Sequence, residues 1–436
     1  MARPDFPFDA MLFDLDGTLL ATDRFWIPAA RVGSRRAFEE LGLQREMPSA
    51  EQWMSLVGLP LAEGFDMLFA DLDPAQRERI MARCVEEEHF ALESGSAALL
   101  PGVIDALTEL AARGVPMGIA SNCSQSYLDS AMSKVELAKF ISEGRCLDSR
   151  GIRNKAEMIE DLLLTFGTRS AVMVGDRAGD RDAAHANGLP HVHLENGFAP
   201  RAEEVKCEAR IVDFGELIPR LDGRTRWIDR TLADLGFGRP GAGPRSLGVT
   251  GHSGAGKSIL ASDIVRRLHA QGQRAVLVPL EGFLNSALPA TDLSVPSAPQ
   301  SALDLPGQIY CMDDLIASVL EPHLAHEPVE LELELARHST TLVSIAPDDV
   351  LVLEGEYLLH PRLRALLDRV LFMEAPREVL LRRIASRELP LGRATELERI
   401  RQQSLPDQER FDQLCPPASG ADLVLDHANP LGPAEA

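Results

Sequence analysis

Short apolar runs alternate along the chain with stretches of helical spacing. The runs DAMLFDLD (9–16), PMGIASN (116–122), SAVMVGD (170–176) and HVHL (191–194) read as strands. Between them, VIDALTELAARG (103–114) and IRNKAEMIEDLLLTFG (152–167) repeat apolar residues every three or four positions and read as helices. Such alternation predicts a parallel, doubly wound sheet. Residues 20–95 keep helical spacing throughout and offer no strand, which predicts an inserted helical cap. The alternation then starts again: SLGVTG (246–251), RAVLVPLEG (274–282), DDVLVLEG (348–355), RVLFMEA (369–375) and ADLVLDH (421–427) read as strands, and SILASDIVRRLHAQG (258–272) as a helix. Between the two halves, GFGRPGAGPR (236–245) has Gly or Pro at six of ten positions, a composition that resists helix and strand alike. The expectation is an α/β chain of two doubly wound parallel-sheet domains: residues 1–222 with the cap at about 20–95, a linker at 223–245, and residues 246–436. The Pro-dotted span 284–308 is long enough to suggest a functional loop.

The 436 residues suit two to three domains, and 25% charged residues is an ordinary globular value. The net charge of −22 changes the picture of partners. An acidic surface repels phosphate backbones and anionic lipid, which argues against nucleic acid and membrane. Cys84, Cys123, Cys146, Cys207, Cys311 and Cys415 show no zinc or redox spacing and read as reduced thiols of a cytoplasmic protein. No apolar run approaches the roughly 18–20 residues of a membrane span, and the opening MARPDFPFDAMLF lacks the features of a signal peptide.

The first half places carboxylates at strand ends. Asp14 and Asp16 in FDLDGT lie one residue apart, so both point to one side at the carboxyl end of a strand, where α/β sheets hold ligands. One carboxylate can attack phosphorus while its neighbour handles the proton. Taken alone, the stretch also reads as an Asp-Gly turn. Ser121 and Asn122 end the second strand, Lys155 opens a helix, and Asp176 and Asp180 follow the third strand. Together these residues make residues 8–222 resemble the haloacid dehalogenase-like phosphatases, of the phosphoglycolate-phosphatase type with a helical cap. The resemblance implies that Asp14 is the nucleophile and that Asp16 is the acid and base. It implies that Thr18, Ser121, Asn122 and Lys155 bind the phosphoryl group, Lys155 also offsetting the charge of Asp14. Mg2+ is then held by Asp14, Asp16, Asp176 and Asp180, with Asp180 supporting the shell. A closing cap favours small phosphorylated metabolites as substrates. Gly58-Leu59-Pro60 reads either as a cap loop dipping toward the site or as a helix-ending turn. His191 and His193 read as packing residues, and Cys123 as a neighbour open to redox control.

The second half opens on Gly251-His252-Ser253-Gly254-Ala255-Gly256-Lys257-Ser258, a full match to G-x-x-x-x-G-K-[ST]. Its glycines let backbone N–H groups turn inward around phosphate at a helix N-terminus. Lys257 would reach the terminal phosphates of ATP and Ser258 would bind Mg2+. With Glu281-Gly282-Phe283 and Glu354-Gly355 at later strand ends, residues 245–428 resemble the uridine kinase, pantothenate kinase and phosphoribulokinase group. That resemblance implies Glu281 as base in place of the family's aspartate. Glu354 would hold metal or orient Glu281. Arg383 and Arg387, with Arg382 and Arg393 behind them, would form a phosphate lid. The group's tyrosine–aspartate substrate segment has no match around 333–338. The combined reading is a bifunctional phosphatase and ATP-dependent kinase acting on small phosphorylated metabolites and small alcohols, nucleosides or sugars. The alternatives are polynucleotide 3′-phosphatase/5′-kinase end repair and a phosphatase governed by a nucleotide-sensing domain.

Overall fold

Ala10-Met11-Leu12-Phe13 is a run of four apolar residues, all fully buried, and in this computed structural model it forms the strand β1 (Ala10–Phe13). The structure describes residues 6–95, 97–198, 203, 205, 207–238, 243–285, 302–335, 339–389 and 392–432. Residues 286–301 of the expected long loop, 239–242 of the Gly/Pro stretch and 336–338 lie outside the described residues. The chain divides into two compact units, Phe8–Asp222 and Gly223–Ala436, the latter taking in Met1–Pro7 as well.

In the N-terminal unit β1 is followed by four helices, α1 (Asp23–Leu41), α2 (Ala50–Met54), α3 (Leu61–Leu68) and α4 (Pro74–Glu93). After α5 (Val103–Ala112) come β2 (Met117–Ala120), α6 (Gln125–Lys134), β3 (Glu143–Arg145), α7 (Lys155–Phe166), β4 (Ala171–Gly175), α8 (Ala178–Ala186), β5 (His191–Leu194) and β6 (Ala209–Ile211). All pairings are parallel, in the order β3-β2-β1-β4-β5-β6. Chain direction across the sheet reverses between β1 and β4, and a doubly wound sheet opens a crevice at that point. Strands β3 and β6 have three residues each and no strong apolar run, so patterning did not reveal them. Helices α1 to α4 build a separate core around Trp26, Phe38, Trp53, Phe65 and Phe69, where the Trp53 ring lies 5.9 Å from the rings of both Phe65 and Phe69.

The C-terminal unit holds β7 (Ser246–Gly251), β8 (Ala275–Pro279), β11 (Val350–Glu354), β12 (Arg369–Glu374) and β13 (Leu423–Asp426) in a second parallel sheet, β13-β12-β7-β11-β8. Between β8 and β11 lies an unexpected antiparallel hairpin, β9 (Val329–Leu335) and β10 (Ser339–Ile345). Helix α9 (Leu217–Asp234) takes in residues 223–234 of the expected linker. Its Trp227, Ile228, Thr231 and Leu232 recur at helical spacing and are buried, so residues 223–234 pack rather than connect. Helix α10 (Lys257–Ala270) follows β7 directly after a five-residue loop. Among the described residues no helix is long and apolar enough to cross a membrane.

Candidate active site

Strands β1 and β4 pair side by side, and past their ends the chain continues into Asp14 and Asp176. Both carboxylates thus stand at the crevice. Two helix starts bring the rest. Asn154 caps α7 by accepting the Glu157 N–H at 3.0 Å, which fixes Lys155 as the first helical residue. Lys155 Nζ donates to Asp14 Oδ1 at 2.8 Å and to Asp180 Oδ1 at 2.6 Å. Asp180, in the first turn of α8, accepts the Arg177 N–H on Oδ2 at 2.9 Å. Asp176 accepts the Thr18 hydroxyl at 3.0 Å and the Phe198 N–H at 2.6 Å. None of the four charged side chains exceeds 7% exposure. Gly17 completes the fit, since at φ +80° a Cβ there would come within 2.6 Å of Asp176 Oδ2.

Burial and the Asp180 charge push the Asp14 carboxyl well above its ordinary range, against the pull of Lys155. Burial and Asp180 likewise push Asp176 up to about 7. Asp180 is as deeply desolvated, yet Lys155 holds it below the ordinary value. Desolvation works against the Lys155 ammonium, but Asp14 and Asp180 outweigh it and keep the charge in place. Three carboxylates therefore share one cation. Oxygens of Asp14, Asp176 and Asp180 lie within 4.8 Å of one another, and buried Asp14 Oδ2 has no hydrogen-bond partner among the described residues. An all-oxygen set short of positive charge suits a hard divalent ion such as Mg2+.

Two of the expected site residues have partners of their own. Asp16, expected as a further ligand, stands outside this carboxylate group: its Oδ1 accepts the Tyr127 hydroxyl at 2.5 Å and the Thr22 hydroxyl at 2.7 Å. Desolvation raises its carboxyl pKa, and both hydroxyls oppose the rise. Thr18, expected at the phosphate, gives its hydroxyl to Asp176. Sequence reasoning missed Tyr127 and Thr22. Tyr127 lies 111 positions from Asp16, and only the fold brings them together.

Ser121 is buried at the end of β2, and the Asn122 side chain donates to Gly58 O at 3.0 Å. Arg177 donates to Val57 O and pairs with Glu203. The Gly58-Leu59-Pro60 turn therefore does reach the site residues. Beside Asp16 and Asn122 the cap lines an open cavity of about 360 Å3. His191 and His193 lie ring beside ring in the sheet, and burial pushes His191 down to about 3, so both serve as neutral packing groups. The Cys123 thiol is pushed well up by burial and by Asp16, which disfavours the thiolate that redox chemistry needs.

In the C-terminal unit residues 252–256 join β7 to α10. Gly254, at φ +82°, passes so near Leu380 O that a Cβ would meet it at 2.8 Å. Lys257 Nζ donates to His252 O at 3.1 Å and lies 3.7 Å from Glu356, a residue outside the sequence motifs. Ser258 donates to Glu354 at 3.2 Å. Ser253 donates its N–H to Gln408 at 3.0 Å and its hydroxyl to Glu356 at 2.5 Å. Buried Glu354 has its carboxyl pKa raised by desolvation, against the pull of Lys257. Arg383 lies on the loop, donating to Ala255 O at 3.3 Å and to His427 O at 2.9 Å. Exposed Arg387 pairs with buried Glu388, and Arg393 lies 3.8 Å from the same carboxylate. Glu281 is exposed in the short helical turn after β8.

Residues 11–193 match the family described as haloacid dehalogenase-like hydrolase. A phosphoglycolate phosphatase of Shigella boydii is 24% identical over 209 residues, 43% of this chain and 81% of the relative. One from Salmonella typhi is 25% identical over 232 residues, 48% and 90% of the two chains. A solved haloacid dehalogenase-like hydrolase from Streptococcus pneumoniae is 23% identical, with a TM-score of 0.43 over 49% of this chain and 98% of that one. The carboxylates and lysine gathered at the crevice fall within the matched stretch, and residues 11–193 are similar to the haloacid dehalogenase-like hydrolases.

Proposed function

We propose that the N-terminal unit is a Mg2+-dependent phosphomonoesterase that works through an aspartyl-phosphate on Asp14. The observation that carries this is the Lys155 bridge between Asp14 and Asp180 beside Asp176, at the crevice of the sheet. Asp14, Asp176 and Asp180 would hold Mg2+, which when bound supplies positive charge to the phosphoryl oxygens. Asp14 attacks phosphorus, the bond to the leaving oxygen breaks, and Asp16 gives that oxygen its proton. Water then attacks phosphorus, Asp16 takes the water's proton, and the bond to Asp14 breaks to release phosphate. Lys155 draws Asp14 toward its ionised form against burial and the Asp180 charge, and faces the phosphoryl oxygens together with Ser121. Tyr127 and Thr22 hold Asp16 in place, and the cap keeps bulk water from the intermediate. The relatives' name supports a small phosphorylated metabolite as substrate. The test is p-nitrophenyl phosphate hydrolysis with Mg2+. Activity should vanish with chelator and in Asp14→Asn, and acid-quenched wild-type protein should carry phosphate that the variant lacks. Full activity in Asp14→Asn would sink the reading.

For the C-terminal unit the proposal is ATP-dependent phosphorylation of a small hydroxyl-bearing metabolite. It is supported by the phosphate-loop match between β7 and α10, by the Ser258–Glu354 contact, and by Glu281 beyond the neighbouring β8. Asp14→Asn protein given γ-labelled ATP, Mg2+ and a panel of nucleosides, sugars and 5′-hydroxyl oligonucleotides tests it. Label on a small molecule supports it. Label on oligonucleotides favours end repair, and tight ATP binding with no transfer favours a nucleotide sensor.

A further inference from the structure

If Asp16 protonates the leaving oxygen, the cavity beside it receives the alcohol half of the substrate. Any role of the cavity in substrate choice thus rests on the phosphatase reading. The cavity has room for a small molecule, about 360 Å3. Trp26, Leu56, Met81 and Val85 make its cap side apolar. Its ionisable lining is Asp16, Glu88, His89, Tyr127, Cys123 and Asp148, and no Lys or Arg is among the described lining residues. Arg177, which lies against Gly58 of the lining, pairs with Glu203, and Arg79 and Arg83 of α4 pair with Glu40. Two of the carboxylates are also engaged. Asp16 accepts from Tyr127 and Thr22, and Asp148 accepts the Gln125 N–H at 2.9 Å.

Glu88 differs. It projects from α4 into the cavity wall, half-buried, with no hydrogen bond or ion pair to a described residue. Desolvation and the Asp16 charge raise its carboxyl pKa well above the usual range. A cavity with an unpartnered Glu88 carboxyl and no Lys or Arg among its described lining residues disfavours a second anion and favours a cation, whose charge draws that carboxyl into its ionised form. Apolar walls beside it accept a short alkyl segment.

We propose that Glu88 selects the leaving group, and that the preferred substrates are phosphomonoesters of small amino alcohols, whose ammonium pairs with Glu88 while the alkyl part lies along Trp26 and Met81. Monoesters carrying a carboxylate are disfavoured at the same place.

The test is steady-state hydrolysis by the full chain with Mg2+ of phosphoethanolamine, glycerol 3-phosphate, 2-phosphoglycolate and p-nitrophenyl phosphate. For the wild type, kcat/KM for phosphoethanolamine should exceed that for 2-phosphoglycolate by about tenfold or more. Glu88→Gln should shift that ratio about tenfold toward 2-phosphoglycolate, mainly through KM, and Glu88→Lys should invert it. A wild-type preference for 2-phosphoglycolate or for uncharged glycerol 3-phosphate overturns the proposal and leaves the phosphatase standing. So does a Glu88→Gln variant that loses both activities in equal measure. Failure on every substrate, p-nitrophenyl phosphate included, overturns the phosphatase reading itself.

Discussion

The two parallel sheets each gather polar groups at the carboxyl end of a central strand, but they do so by different means. Around β1 and β4 the side chains carry the site: Asp14, Lys155, Asp176 and Asp180 arrive from two strands and two helix starts and meet in a buried cluster. After β7 the backbone carries it, in a single turn from Gly251 to Lys257 whose glycines allow close approach. A site of dispersed side chains depends on the tertiary fold to exist. A site of consecutive backbone groups depends mainly on local conformation. The first should therefore fail sharply when one charge is lost, and the second by degrees.

The largest effect expected is at Asp14. Asp14→Asn removes the proposed nucleophile and should lower phosphomonoester kcat by about 10⁴-fold or more. ATP binding by the same protein should be unchanged, as isothermal titration would show. Next comes a structural charge. Arg224 and Asp263 are both almost fully buried and paired within the C-terminal unit. Asp263→Ala removes the buried carboxylate that balances the Arg224 charge and should cost about 3–5 kcal/mol of that unit's stability, read by urea unfolding with p-nitrophenyl phosphate hydrolysis as the marker of the other unit. A single shared transition that moves together would show that the units do not unfold separately. Lys257→Ala should weaken ATP binding about 10–100-fold, the loss of one charge-assisted hydrogen bond, with the phosphatase untouched. The smallest effect is chemical. Burial pushes the Cys84 thiol up to about 12, so at pH 8 it is protonated and shielded. Mass spectrometry after brief iodoacetamide treatment should find it unmodified until urea unfolds the cap.

The same contrast explains what the sequence made legible. The loop 251–258 is contiguous, so its pattern stood out. The Asp and Lys residues were legible only as a set ordered along strand ends. The Tyr127–Asp16 and Asn122–Gly58 contacts carry no local signal, because each joins residues far apart in the chain. The hairpin is another matter. In β9 Val329, Leu331 and Leu333 turn inward while Glu330, Glu332 and Glu334 alternate with them, a two-residue period written plainly in VELELEL. It went unread because a parallel α/β pattern surrounds it and an antiparallel pair interrupts that rhythm. Helix α9 was obscured by the glycines and prolines that follow it, although Trp227, Ile228 and Leu232 keep helical spacing up to their edge.

The Ser253 N–H, one of the amides that would face an anion in the loop after β7, is already satisfied by the buried Gln408 side chain, which also donates back to the Ser253 hydroxyl at 3.1 Å. An incoming phosphate would meet an internal competitor. The affinity of this loop for an anion would then be the difference between two partners for the same amide, and shortening the glutamine would retune it without altering any group that touches the ligand.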